Sequence, residues 1–262
     1  FAILIAVAGS ITLFFRTWSI PLLVVLYILI NFLYQKEVID PRNKAYGLNY
    51  LNKTERPVYS REAIWQLAND SAIAQDKKHF IEVLNRWKAN QKTAKPILYI
   101  INTSGGGTRS AAFTMNVLQR LDSLFNGRLM QQTLLINGAS GGMLGAAYFR
   151  ELYYEKSKGA AINLQDKKYV DDISKDLLSP LFSSFVTRDM MGPVQKFEVN
   201  GYTYAKDRGY AFEQKLNDNT HGVLGMHLKE SVDTEDEAVN PNMFFNSVIS
   251  GEWRKMDMNK HP

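Results

Sequence analysis

Apolar positions follow three regimes along this chain. Residues 1–15 (FAILIAVAGSITLFF) and 18–34 (WSIPLLVVLYILINFLY) are uncharged, and Arg16 and Thr17 interrupt them. As one helix, residues 1–34 would run about 50 Å, well beyond a hydrocarbon core of roughly 30 Å. The pattern therefore predicts two transmembrane helices turning near residues 16–21, with Trp18 and Tyr34 as interfacial anchors. The first begins mid-run without Met, so it is expected to be truncated. Ala6-Val7-Ala8 would suit a signal-peptide cleavage site, but no basic segment precedes it and a second apolar span follows.

In the second regime, residues 35–59, polar residues and two prolines show no period, which predicts a juxtamembrane linker. The third regime, residues 60–262, alternates helical spacing with short apolar runs. Ser60 is placed to cap a helix carrying Ala63, Ile64, Leu67 and Ala68. A second helix is predicted over 77–90, with Phe80, Ile81, Val83, Leu84 and Trp87 as its stripe. Residues 97–101 (ILYII) read as a buried strand and 108–125 as a helix with Ala112, Met115, Leu118, Leu121 and Leu124 inward. Residues 133–136 (TLLI) read as a second buried strand, and 141–154 as its following helix. Strand, loop, helix, strand, loop, helix is a βαβ unit plus its next helix, so a parallel sheet and an α/β fold are expected. Right-handed crossovers put both loops at the same carboxyl edge. Further on, residues 163–178 and 206–216 read as helices, 217–241 as an exposed acidic loop around Asp233, Glu235, Asp236 and Glu237, and 243–249 as a strand. Residues 179–205 mix aromatics and methionines without a clear element.

Charge refines this picture only modestly. The net charge is +5, but the basic residues are scattered and form no nucleic-acid motif, so no nucleic-acid partner is expected. A mildly basic domain suits the neighbourhood of an anionic leaflet. Arg16 stands alone on one side of the second apolar run, whereas Lys36, Arg42, Lys44 and Lys53 follow it. The positive-inside rule then puts everything after Tyr34 in the cytoplasm, as part of an integral membrane protein. The chain has no cysteine, which suits a reducing compartment.

The chemistry lies in the two loops. Asn137-Gly138-Ala139-Ser140-Gly141-Gly142 fits G-x-S-x-G, a sharp strand-to-helix turn that lifts a serine hydroxyl into the open, with Gly138 and Gly142 leaving room for the elbow. Asn102-Thr103-Ser104-Gly105-Gly106-Gly107-Thr108-Arg109 offers the N–H groups of Gly105, Gly106 and Gly107 at a helix start, where an oxyanion is favoured. Residue numbers 106 and 140 differ by 34, a separation that a βαβ unit can close in space. Read without that chemistry, the same residues make tight turns with glycines for close packing. Arg109 could meet a phosphate head group or a surface carboxylate. The loop does not match the Walker pattern, and no metal site or cofactor is expected. Among His79, His221, His227 and His261, none has the context of a triad base.

SGGGTR followed by GASGG resembles the patatin-like phospholipases and, more loosely, the cytosolic phospholipase A group, over roughly residues 95–255. The resemblance implies a three-layer α/β fold with a mainly parallel sheet, here preceded by transmembrane helices, and a serine–aspartate dyad without histidine. Gly105–Gly107 match the family's oxyanion loop, Arg109 its trailing basic residue and Ser140 its nucleophile. Residues 240–255 (NPNMFFNSVISGEWRK) resemble the strand placed before the catalytic aspartate. That aspartate belongs to an Asp-Gly-Gly or Asp-Gly-Ala motif, and this chain has no Asp-Gly dipeptide. The implied dyad aspartate is therefore expected beyond Pro262, leaving the domain C-terminally incomplete; Asp122, Asp172, Asp189 and Asp207 are candidates by residue type alone. The activity implied is a serine acyl hydrolase acting on membrane phospholipids or other lipid esters, as a phospholipase A or lysophospholipase. Two alternatives remain at this stage: an esterase with a Ser-His-Asp triad, and an inactive membrane scaffold on a hydrolase fold.

Overall fold

The computed structural model describes residues 2–35, 44–50, 58, 60–190, 195–249 and 254–258. Most of the expected linker and His261 lie outside them, as does the side chain of Tyr34. Two compact units divide the chain: residues 1–48 with 180–211, and residues 49–179 with 212–262.

The first unit begins with α1 (Ala2–Phe15), a 3-10 turn (Arg16–Trp18) and α2 (Ser19–Gln35). The interruption falls where the charge pattern predicts it, and Arg16 takes a φ of 43°. The structure gives one candidate span, Ile5–Leu33, where the sequence suggests two; length and composition are its only credentials. Arg16 and Thr17 supply no loop between the apolar runs, and the Ser19 N–H closes directly on the Arg16 carbonyl. This unit also holds the hairpin β3 (Lys196–Val199) and β4 (Tyr202–Ala205). Asn200 and Gly201, at φ 51° and 78°, make its two-residue turn. Tyr204 donates its hydroxyl to the Leu48 carbonyl at 2.6 Å and accepts from the Gly47 N–H at 2.9 Å. Tyr46, Phe197 and Tyr210 complete an aromatic cluster around that hairpin.

The second unit is an α/β sandwich. Its sheet runs in the order β1 (Tyr99–Thr103), β2 (Thr133–Gly138), β5 (Asn242–Ile249), β6 (Arg254–Met258). The first three strands are parallel and β6 is antiparallel to β5. The expected βαβα run is present, with α5 (Gly107–Leu124) between β1 and β2 and α7 (Ser140–Ser157) after β2. One core joins Met115 and Leu118 of α5, Ile136 of β2, Met143, Phe149 and Leu152 of α7, and Met243 of β5. A separate small cluster joins Val83 and Trp87 of α4 (Asp70–Ala89) to Leu134 of β2. Ser60 caps α3 (Arg61–Leu67) as predicted, its Oγ accepting from the Ala63 N–H at 3.1 Å.

Three stretches differ from expectation. Residues 163–178 form only α8 (Lys168–Ser174) before α9 (Leu178–Ser184), because Lys175 leaves the helical region at ψ 153°. The helix expected over 206–216 is α10 (Arg208–Asn219). The supposed exposed acidic loop contains α11 (Val232–Asp236), and its Glu235 is only 3% exposed. Arg150, on α7, lies beneath it and bonds the carboxylates of Glu235 and Glu151, while its Nε donates to the Pro241 carbonyl at 2.9 Å. A carboxylate enters the interior only with such a partner. Here the partner is 85 residues away in sequence, so the local pattern could not show it.

Candidate active site

β2 ends at Gly138, Ala139 stays extended (φ −140°, ψ 152°), and Ser140 turns to φ 54° as the first residue of α7. A positive φ on a serine is sparsely populated and needs surrounding structure to enforce it. The enforcement comes from close backbone approach. A Cβ on Gly141 would stand 1.9 Å from the Gly107 carbonyl oxygen, and one on Gly142 would stand 2.2 Å from that of Ser104. Behind them, Gly138 lies against Thr103, and Gly145 against Ala111 of α5. The start of α7 therefore lies on the bare backbone of the first glycine loop, and nothing larger than hydrogen fits between them.

The same packing brings the two sequence signatures together. A Cβ on Gly105 would be 3.3 Å from Ser140 Cβ and 3.7 Å from Ser140 Oγ. Gly106 takes φ 146°, and a Cβ there would meet Ser110 Cβ at 2.9 Å, so the loop conformation needs glycine. Ser110 Oγ donates to the Ser104 carbonyl at 2.8 Å and braces the loop from within α5. Gly107, at φ 63°, opens α5, and the N–H groups of a first helical turn have no partner within their own helix. Residues 104–107 and Ser140 are all exposed. The resulting arrangement is a hydroxyl at the positive end of one helix beside the amide-lined start of another, open to a reactant. Arg109 is exposed on the first turn of α5, and Phe113, one turn on, is 69% exposed.

No proton acceptor is bonded to Ser140 Oγ among the described residues. The four aspartates considered by type have other partners. Asp122 Oδ1 accepts from the Leu129 N–H at 3.2 Å, and burial raises its pKa against that bond. Asp172 pairs with Lys175 at 2.7 Å, Asp189 with Arg208 at 2.9 Å, and Asp207 accepts from the Tyr210 N–H at 3.0 Å. His79 faces Asp236 at 3.4 Å, His221 faces Asp172 at 3.4 Å, and His227 precedes a 3-10 turn. Among the described residues, no group of three or more His, Cys, Asp or Glu is placed to hold a metal ion.

The sequence reading gave no role to a row of asparagines at the carboxyl edge of the sheet. Asn246 Nδ2 on β5 lies 2.6 Å from Asn137 Oδ1 and 3.2 Å from the Gly138 carbonyl, and Asn137 Nδ2 lies 3.0 Å from Asn102 Oδ1. A positional signal was available. Asn102 stands three residues before Gly105, and Asn137 three residues before Ser140.

No family model and no curated protein matches this chain. Among solved structures, it is similar to a human GIVD cytosolic phospholipase A2 solved with methyl gamma-linolenyl fluorophosphonate and terbium chloride. The identity is 16% and the TM-score 0.37, over 70% of this chain and 28% of that one.

Proposed function

We propose that this chain is a membrane-anchored serine acyl hydrolase that cleaves lipid esters, as a phospholipase A or lysophospholipase. The observation that carries the reading is the contact between Gly105 and Ser140, with Ser140 at positive φ on a helix N-terminus. In this reading Ser140 Oγ attacks the ester carbonyl, and the N–H groups of Gly105–Gly107 receive the oxyanion of the tetrahedral intermediate. Collapse of that intermediate breaks the ester C–O bond, and the alcohol, the lysolipid or head-group part of the substrate, leaves carrying the proton taken from Ser140. Water then attacks the acyl-enzyme, releasing the fatty acid and restoring the Ser140 hydroxyl. The Ser140 proton needs a base, which the resemblance assigns to an aspartate; the four aspartates weighed by type are committed elsewhere. Gly138 and Gly142 keep the elbow sharp, and Arg109 meets the phosphate of a head group while Phe113 beside it meets acyl chains. The apolar segment at Ile5–Leu33 holds the domain at the bilayer, on its cytoplasmic side, and tethering raises the local concentration of lipid substrate.

The test is covalent labelling of the full-length protein by a fluorophosphonate. Wild type should be labelled at Ser140 and Ser140→Ala should not. Equal labelling of the two removes Ser140 from the mechanism, and a wild type without labelling or turnover favours a scaffold on a hydrolase fold.

A further inference from the structure

We infer that Asn246, Asn137 and Asn102 form an amide relay that sets the elbow, and that Asn246 is a positioning residue for Ser140. The inference rests on the hydrolase reading and goes beyond it, because nothing in the two glycine motifs requires β5.

The orientation of the relay is fixed by one group that cannot turn round. The Gly138 carbonyl only accepts, so the Asn246 side-chain atom 3.2 Å from it is the amide nitrogen. That nitrogen also lies 2.6 Å from Asn137, which must therefore present its oxygen. Asn137 then points its own nitrogen at Asn102 Oδ1, 3.0 Å away. All three amides are ordered by a single carbonyl, and aligned amides of this kind reinforce one another.

The place of the row explains its use. Gly138 is the last residue of β2, paired in register with Thr103 of β1 and Phe245 of β5. Beyond it the chain leaves the sheet and regular ladder bonds end. Asn246, one residue further along β5, supplies a donor to the Gly138 carbonyl where the ladder runs out. The Gly138 peptide plane leads through Ala139 to Ser140, so holding that carbonyl fixes the direction in which the elbow departs. Through Asn137 and Asn102 the same row reaches the strand that leads to Gly105. The register of the serine turn is thereby tied to that of the amide loop. Apolar residues at these positions could not orient a carbonyl.

Full-length Asn246→Leu and Asn246→Asp are each compared with wild type at the same pH, from about pH 3.5 to about pH 8, by the rate of fluorophosphonate labelling at Ser140, beside Tm. Asn246→Leu should be labelled about 10- to 100-fold more slowly at every pH, the scale of loss from misplacing a reacting group by an ångström. Asn246→Asp should be equally slow when ionised, since a carboxylate cannot donate to the Gly138 carbonyl. It should regain rate as pH falls and its protonated form becomes a donor. A merely structural role would change Tm without that acid recovery. Labelling of both variants at the wild-type rate, or identical pH profiles for Leu and Asp, overturns the inference. A wild type that is not labelled overturns the hydrolase reading itself, and this inference with it.

Discussion

The two halves of α7 are held by opposite means. Its first half, around Gly141 and Gly142, is set by backbone lying on backbone, with no side chain between the helix and the loop at Ser104–Gly107. Its second half is set by side chains. Arg150 is 2% exposed and gathers Glu151, Glu235 and the Pro241 carbonyl. The first arrangement leaves the Ser140 hydroxyl open, because glycines occupy no space around it. The second supplies the rigidity that a seam of glycines cannot provide for itself. A strained serine needs both: room at one end of the helix and an anchor at the other.

The anchored half should be the more costly to break. Arg150→Met leaves two buried carboxylates facing each other and should remove about 3–5 kcal/mol of stability, read from urea unfolding. A loss under about 1 kcal/mol would make the cluster an incidental feature and undo the contrast. The glycine half should fail differently. Gly141→Ala drives a methyl into the Gly107 carbonyl and should lower stability by about 1–3 kcal/mol. Fluorophosphonate labelling of Ser140 should fall by more than that loss of folded protein accounts for. Labelling that merely follows the folded fraction would mean the seam only packs.

The smallest effect sharpens the anchored side through pH. Burial raises the Glu151 pKa from its ordinary 4.5, and the adjacent Arg150 only partly offsets this. The folded state thus holds a proton that the unfolded state releases first. Its stabilising effect is complete below about pH 4.5 and is lost as pH rises through the folded pKa. The Tm of wild type relative to Glu151→Gln should accordingly be greatest in acid and decline towards neutrality. A constant difference would show that Glu151 ionises as freely in the fold as outside it.

The same division governs what could be read from the sequence. The run from β1 to α7 was legible because buried strands and amphipathic helices leave local periods, and because close backbone approach demands glycine where it occurs. The pairing of the two glycine loops followed from the handedness of a βαβ unit. Glu235 was misplaced in an exposed loop because its burial depends on Arg150, far away in the chain. The hairpin at residues 196–205 carries a local signal, Asn200-Gly201 between alternating residues. The asparagine row was invisible for a further reason: Asn246 has meaning only once β5 lies beside β2. The apolar N-terminus was legible as a potential membrane segment, but composition alone does not specify how many times it crosses.

The bond between Asn246 and the Gly138 carbonyl also has a consequence in time. It spans 108 residues, and the Arg150 contacts to Glu235 and Pro241 span 85 and 91. During synthesis, β1, α5, β2 and α7 leave the ribosome long before these partners exist. At ordinary translation speeds the interval is on the order of ten seconds. Throughout it the nascent chain has its serine and its glycine loop but neither the donor for Gly138 nor a counter-ion for Arg150 from beyond α7. The elbow at Ser140 would thus remain incompletely held until β5 arrives.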